Sequence, residues 1–89
     1  MSKWLVGFTE EAEEDLEKLD VAIRQRILEK VVWLGENFSQ ASHLPLGYEW
    51  QGFFKLRVGD WRIVYKINYS KNEITAHRIE HRSRVYKNK

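Results

Sequence analysis

The sequence predicts one α+β domain over residues 1–89, with an N-terminal strand and a helical hairpin packed on an antiparallel sheet. Three observations predict it. Apolar residues recur at threes and fours between Thr9 and Phe38. They alternate at period two before that stretch and again from Gly52 onward. Glycine, asparagine and aspartate punctuate the second half at spacings that suit hairpins.

Trp4 to Phe8 reads as a short strand rich in aromatic and branched residues. Thr9 is placed to cap a helix, because its hydroxyl can accept from the free N–H groups of the next turn. Glu10, Glu11, Glu13 and Glu14 follow, where the helix dipole favours negative charge. Ala12, Leu16 and Leu19 keep helical spacing, so the first helix is expected from Glu10 to Leu19. Asp20 can cap a second helix, whose apolar stripe is Ile23, Ile27, Val31, Leu34 and Phe38. Gly35, Asn37 and Ser39 are its stop signals. Ser39 to Gly47 holds the only proline, Pro45, and reads as a loop.

Three strands then follow. The first alternates Phe54, Leu56 and Val58 against Phe53, Lys55 and Arg57, and Gly59-Asp60 makes a tight turn. The second runs from Trp61 to Tyr69, with Trp61, Ile63, Tyr65 and Ile67 facing one way and Arg62, Val64 and Lys66 the other. Ser70-Lys71-Asn72 turns the chain into a last strand from Glu73 to Ile79. The helices should cover one sheet face and leave Lys55, Arg57, Arg62 and Lys66 on the other, with His81, Arg82 and Tyr86 beyond the last strand. Trp4, Trp33, Trp50 and Trp61 are expected in the core, and the acidic first helix is expected to be a solvated face. His43 and His77 are read as structural, with His77 sharing the helix-covered face with Thr75 and Ile79.

Composition narrows the function. Cysteine is absent, which removes disulfides and zinc–thiolate sites. The apolar runs fall far short of the ~20 residues of a membrane span, and the N-terminus has no signal-peptide pattern, so a cytoplasmic protein is expected. The net charge of +2 conceals an asymmetry. Residues 1–20 carry seven acids against two lysines, whereas residues 52–89 carry ten Lys and Arg against three acids. Such a cationic half faces either a polyanion or the acidic half of its own chain.

No Walker-type phosphate loop, GxGxxG turn, cysteine nucleophile or Gly-flanked serine is present, and the basic half lacks the paired carboxylates of two-metal sites. Arginine, lysine, histidine and tyrosine remain. These suit RNA phosphodiester cleavage without a metal or cofactor. The 2′-hydroxyl serves as nucleophile, a base takes its proton, cations hold the phosphorane charge and an acid protonates the leaving oxygen. Guanidinium forks match phosphate oxygens best.

The stretch Leu46 to Tyr65, which contains Leu56-Arg57-Val58-Gly59-Asp60-Trp61-Arg62, resembles the central signature of the RelE/ParE toxin family. The ending Arg78-Ile79-Glu80-His81-Arg82-Ser83-Arg84-Val85-Tyr86 is similar to that family's terminal motif. The resemblance covers nearly the whole chain. It implies a type II toxin that cuts mRNA in the ribosomal A site, with Arg62 stabilising the transition state and Lys55 contacting phosphate. Tyr86 stacks on a base or takes the 2′-hydroxyl proton, and Arg82 or His81 supplies the acid. Arg57, Lys66, Arg84 and Lys87 complete the expected RNA contacts. Two positions depart from the pattern: Phe53 stands where some members carry lysine, and Glu80 where the terminal motif has glycine.

The resemblance also implies partners: the ribosome, mRNA and a cognate antitoxin that covers the basic face or displaces Val85–Lys89, with no membrane involved. A monomer is expected for the toxin alone. Two alternatives stay open, a ParE-like gyrase inhibitor without nuclease chemistry and a catalytically inactive binding member.

Overall fold

The change of period along the sequence becomes a change of layer in the computed structural model, which describes residues 4–46 and 51–83. The elements are β1 (Leu5–Phe8), α1 (Glu10–Glu17), α2 (Val21–Glu36), β2 (Leu44–Pro45), β3 (Phe54–Val58), β4 (Trp61–Asn68) and β5 (Glu73–His81). Both helices start as their caps dictate. The Thr9 hydroxyl accepts from the Ala12 N–H at 3.2 Å, and the Asp20 carboxylate accepts from the Ile23 N–H at 3.1 Å. α1 ends two residues short of the expected Leu19, because the Lys18 and Leu19 N–H groups bond back to the Asp15 and Leu16 carbonyls in a tightened last turn. Arg24 of α2 adds donors to this end, to the Leu16 and Leu19 carbonyls at 3.0 Å each. One guanidinium thereby ties the two helices together.

The sheet has the order β1-β5-β4-β3-β2. Every neighbouring pair is antiparallel except β1 with β5, which is parallel from Leu5 opposite Glu73 to Phe8 opposite Ala76. The expected loop after α2 contains a short edge strand, since Leu44 and Pro45 pair with Lys55 and Phe54. An edge tolerates Pro45 because no partner awaits its missing N–H. Gly59 takes φ +60° in the β3–β4 turn, and Asn72 takes φ 53° before β5.

The register shifts between β4 and β5. Val64 lies opposite Arg78 but Tyr65 lies opposite Ala76, which leaves His77 as an extra residue in a bulge. This overturns the expected placement of His77. Ile74, Ala76 and Ile79 are buried in the core, whereas the His77 ring meets Phe53 edge-on at 5.0 Å, on the face away from the helices.

Core residues from α1 and α2 (Ala12, Leu16, Ile27, Val31, Leu34) pack on Ile63, Tyr65, Ile74, Ala76 and Ile79. Trp4 stacks on Phe38 with ring centroids 3.8 Å apart. Trp33 departs from the expected core position: it is 39 % exposed and carries the Lys30 ammonium 4.1 Å from its ring centroid. Trp50 lies outside the described residues. α1 is not merely a solvated face either, because Asp15 accepts from the Arg78 guanidinium and the Ile79 N–H at 2.9 Å each. Among the described residues no helix is long and apolar enough to cross a membrane.

Tyr65 is wholly buried, and its hydroxyl lies 2.7 Å from His43 Nδ1. His43 Nε2 lies 2.9 Å from the Phe38 carbonyl, which can only accept, so in the neutral ring Nδ1 accepts the phenol proton. Burial first, and Tyr69 second, push the Tyr65 phenol up to about 12. An unfolded tyrosine ionises near 10.

The stability held by the neutral phenol is full below pH 10 and is lost as pH rises toward 12, by about 2–3 kcal/mol. Tyr65→Phe should remove that alkaline slope and cost about 1–2 kcal/mol at neutral pH by orphaning His43, as read by urea unfolding at both pH values. At Gly35 of α2, a Cβ would stand 2.9 Å from the Trp4 carbonyl oxygen and 3.0 Å from Val6 Cγ1. Gly35→Ala should therefore lower stability by about 1–2 kcal/mol despite its gain in helix propensity. Gly7→Ala, with nothing within 4 Å of the new Cβ, should not lower it.

Candidate functional site

Alternation along three adjacent strands builds the site. Arg57, Arg62 and Glu80 stand abreast on β3, β4 and β5, and Lys55, Val64 and Arg78 form the next row. Lys66 stands opposite Thr75 in a third row. Lys55, Arg57, Arg62 and Arg82 come together around one cleft of about 240 Å³, with Leu44, Asp60 and Trp61 at its margins. Four of the nine residues expected at the site thus share a single concavity.

Arg62 is held closely. Its side chain is only 17 % exposed, and Nη2 lies 3.6 Å from Oε1 of Glu80, itself 19 % exposed. That separation is an ion pair rather than a hydrogen bond. Arg62 Nε is buried without a hydrogen-bond partner among the described residues. A guanidinium in this state retains donor capacity toward an anion entering the cleft. Arg57 donates from Nε to the Gly59 carbonyl at 3.3 Å, which bends it over the β3–β4 turn. Arg82 is anchored through its backbone N–H to the Asp60 carbonyl at 2.8 Å, while its guanidinium lies 3.7 Å from the Asp60 carboxylate. Both side chains of that pair are more than half exposed, so it holds Arg82 only loosely.

Other expected residues lie elsewhere. His81 is opposite Trp61 in register and meets its ring edge-on at 5.0 Å. Its Nδ1 accepts from the Ser83 N–H at 3.2 Å and lies 2.8 Å from the Ser83 hydroxyl, so the ring caps the end of β5 and does not line the Arg62 cleft. Lys66 belongs to a separate groove with His77 and Thr75. Tyr86, Arg84 and Lys87 lie outside the described residues. Arg78 is turned aside by Asp15 and by the bulge, and this bond raises its pKa. Among the described residues no three His, Cys, Asp or Glu side chains are arranged to hold a metal ion. The sequence reading passed over Leu44 as a cleft wall, because its place depends on an edge strand two residues long.

Comparison with known proteins agrees with this architecture. A family described as the ParE toxin of the type II toxin–antitoxin system parDE matches residues 6–86. No curated protein matches the chain. Among solved structures the chain is similar to the toxin–antitoxin complex RelBE2 from Mycobacterium tuberculosis, at 30 % identity and TM-score 0.83, covering 93 % of this chain and 95 % of that one. The isolated E. coli RelE toxin shares the fold at 21 % identity and TM-score 0.70, with 94 % and 92 % covered. The chromosomal ParDE system of P. aeruginosa does so at 18 % and 0.72, with 89 % and 96 % covered.

Glu80 is the acid nearest Arg62, and its charge opposes any anion in the cleft. Glu80→Gln should tighten binding of a short polyanionic probe, an oligonucleotide used for its charge alone, about 3–10-fold near 0.1 M salt. Fluorescence anisotropy measures this, and unchanged or weaker binding would contradict competition between Glu80 and the ligand.

Proposed function

The chain belongs to the RelE/ParE family of type II toxin–antitoxin toxins, and from that premise we propose that it is a ribosome-dependent mRNA endonuclease. The observation that carries this reading is the convergence of Lys55, Arg57, Arg62 and Arg82 on one cleft, with Arg62 more than four-fifths withdrawn from water. A withdrawn cation acts on a developing negative charge more strongly than a solvated one.

In this reading a phosphodiester of mRNA in the ribosomal A site enters the cleft. The 2′-hydroxyl loses its proton, its oxygen bonds to phosphorus, and the phosphorus–5′-oxygen bond breaks. A 2′,3′-cyclic phosphate and a 5′-hydroxyl result, the 5′-oxygen gaining a proton. Arg62 meets the charge of the phosphorane. Lys55 and Arg57 fix the phosphate, and Arg82 adds a further cation at the same cleft. By resemblance Tyr86 takes the 2′-proton or stacks on a base. His81 caps the end of β5 and is not assigned the proton transfer. The reading requires no metal or cofactor.

A cognate antitoxin is the partner this reading implies. The RelBE2 structure and the archaeal RelE–RelB structure from Pyrococcus horikoshii are both complexes. An acidic antitoxin segment would complement the cationic face, and the toxin alone would be a cytoplasmic monomer. A second reading, a ParE-like inhibitor of DNA gyrase, is favoured by the description of the matched family and by the ParDE neighbour. It gives no reason for a withdrawn arginine among three further cations.

Purified protein added to ribosomes carrying a defined mRNA tests the proposal. Cleavage is expected, with Arg62→Ala lowering kcat by about 10²–10³ and leaving KM nearly unchanged. Lys55→Ala should act mainly on KM. Intact mRNA with the wild-type protein would reject the nuclease reading, and inhibition of gyrase supercoiling would then establish the second.

A further inference from the structure

The open sheet face carries a second groove that the cleavage chemistry does not use. It measures about 470 Å³ and is lined by Gly52, Lys66, Asn68, Ser70, Thr75 and His77, with Glu73 at its far end. We propose that this groove is a nucleotide-binding subsite, built on Phe53, Lys66 and His77, that holds single-stranded RNA on one side of the phosphate at Arg62. The proposal rests on the nuclease reading and extends the substrate beyond the cleaved bond.

Phe53 and His77 meet edge-on at 5.0 Å, and the Lys66 ammonium lies 4.9 Å from the Phe53 ring centroid. Aromatic surface beside a cation is the combination that binds single strands without reading their sequence, since every base has a π-face and every linkage a charge. Hydroxyls of Ser70 and Thr75 line the same groove and offer hydrogen bonds. His77 has its pKa lowered by burial first and by Lys66 second, against a smaller opposing effect of Glu11. The ring is thereby favoured in its neutral form.

Lys66 lies four residues along β4 from Arg62, which is roughly 13 Å, a span of about two extended nucleotides. Lys55 stands between them, in the row of Val64. The cations Arg62, Lys55 and Lys66 therefore mark a path across the sheet. Alternation from the buried Ile74 and Ala76 puts Thr75 and His77 on the open face, and the bulge that follows returns Ile79 to the core. Gly52, at φ +88°, turns the chain into Phe53 at the rim, and a Cβ there would meet nothing within 4 Å.

The test uses non-cleavable 2′-O-methyl RNA, a dinucleotide that reaches only the Arg62 cleft and a hexanucleotide that reaches both sites. His77→Ala, Lys66→Gln and Phe53→Leu should each weaken hexanucleotide binding about 5–30-fold and leave dinucleotide binding unchanged. In the wild-type chain, which needs no variant to fold, the hexanucleotide alone should shift the His77 Cε1–H resonance. Equal hexanucleotide affinity in the three variants, or a His77 resonance indifferent to both ligands, would overturn the subsite and leave the Arg62 cleft standing. An effect of Lys66→Gln alone would also overturn it, reducing the groove to plain charge. Failure of the wild-type protein to bind either RNA would remove the nuclease reading along with it.

Discussion

One strand carries both the core and the candidate site, and its period-two alternation binds them together. Ile63, Tyr65 and Ile67 of β4 point to the helices, while Arg62 and Lys66 point away. A slip of one residue would bring Arg62 into the apolar layer and put Ile63 in water, so the packing that fixes the core also fixes the guanidinium. The buried Tyr65–His43 hydrogen bond pins the same strand from below and joins it to the segment after α2. Precision at the site is thus a by-product of core packing on the opposite face.

Electrostatics follow from that layout. The acids of α1 and the cations of β3–β5 belong to different layers, so the charge asymmetry of the sequence becomes a polarity of the molecule. Asp15, Asp60, Glu73 and Glu80 are the exceptions. Asp15 reaches the edge of β5 beyond the end of β1 and removes Arg78 from the cationic set. Glu80 stands beside Arg62 because both occupy paired positions in neighbouring strands, and both side chains are largely withdrawn from water. Lys55, Arg57, Arg62 and Arg82 remain gathered around the cleft, with Glu80 beside Arg62 and Asp60 beside Arg82.

Much of this was legible in the sequence, and the rest was hidden for identifiable reasons. Caps, helix stripes and hairpin turns are local, so Thr9, Asp20 and Gly59-Asp60 announced the elements they start or join. Residues of one strand that alternate strictly were also assigned to the correct face, which is why Lys55, Arg57 and Arg62 were found together. His77 was assigned to the wrong face, because a bulge inserts a residue without leaving a composition signal. The parallel pairing of β1 and the two-residue β2 depend on contacts distant in sequence, which periodicity does not encode. His81 was grouped with the cleft by motif alone. Its register partner Trp61 and the Ser83 N–H draw it to the end of the strand. The described cores of the two family motifs, residues 56–62 and 78–81, fall on β3, β4 and β5 and the turn between β3 and β4, so local sequence carried the family.

The proposed action of the Arg62 cleft on mRNA during translation can be read from a map of 5′ ends in cellular mRNA after the protein is induced in a bacterium, beside the same map for Arg62→Ala. New ends are expected at a fixed phase of codons within translated frames, and none with Arg62→Ala. Growth arrest with no new ends would contradict that action and move the target away from mRNA.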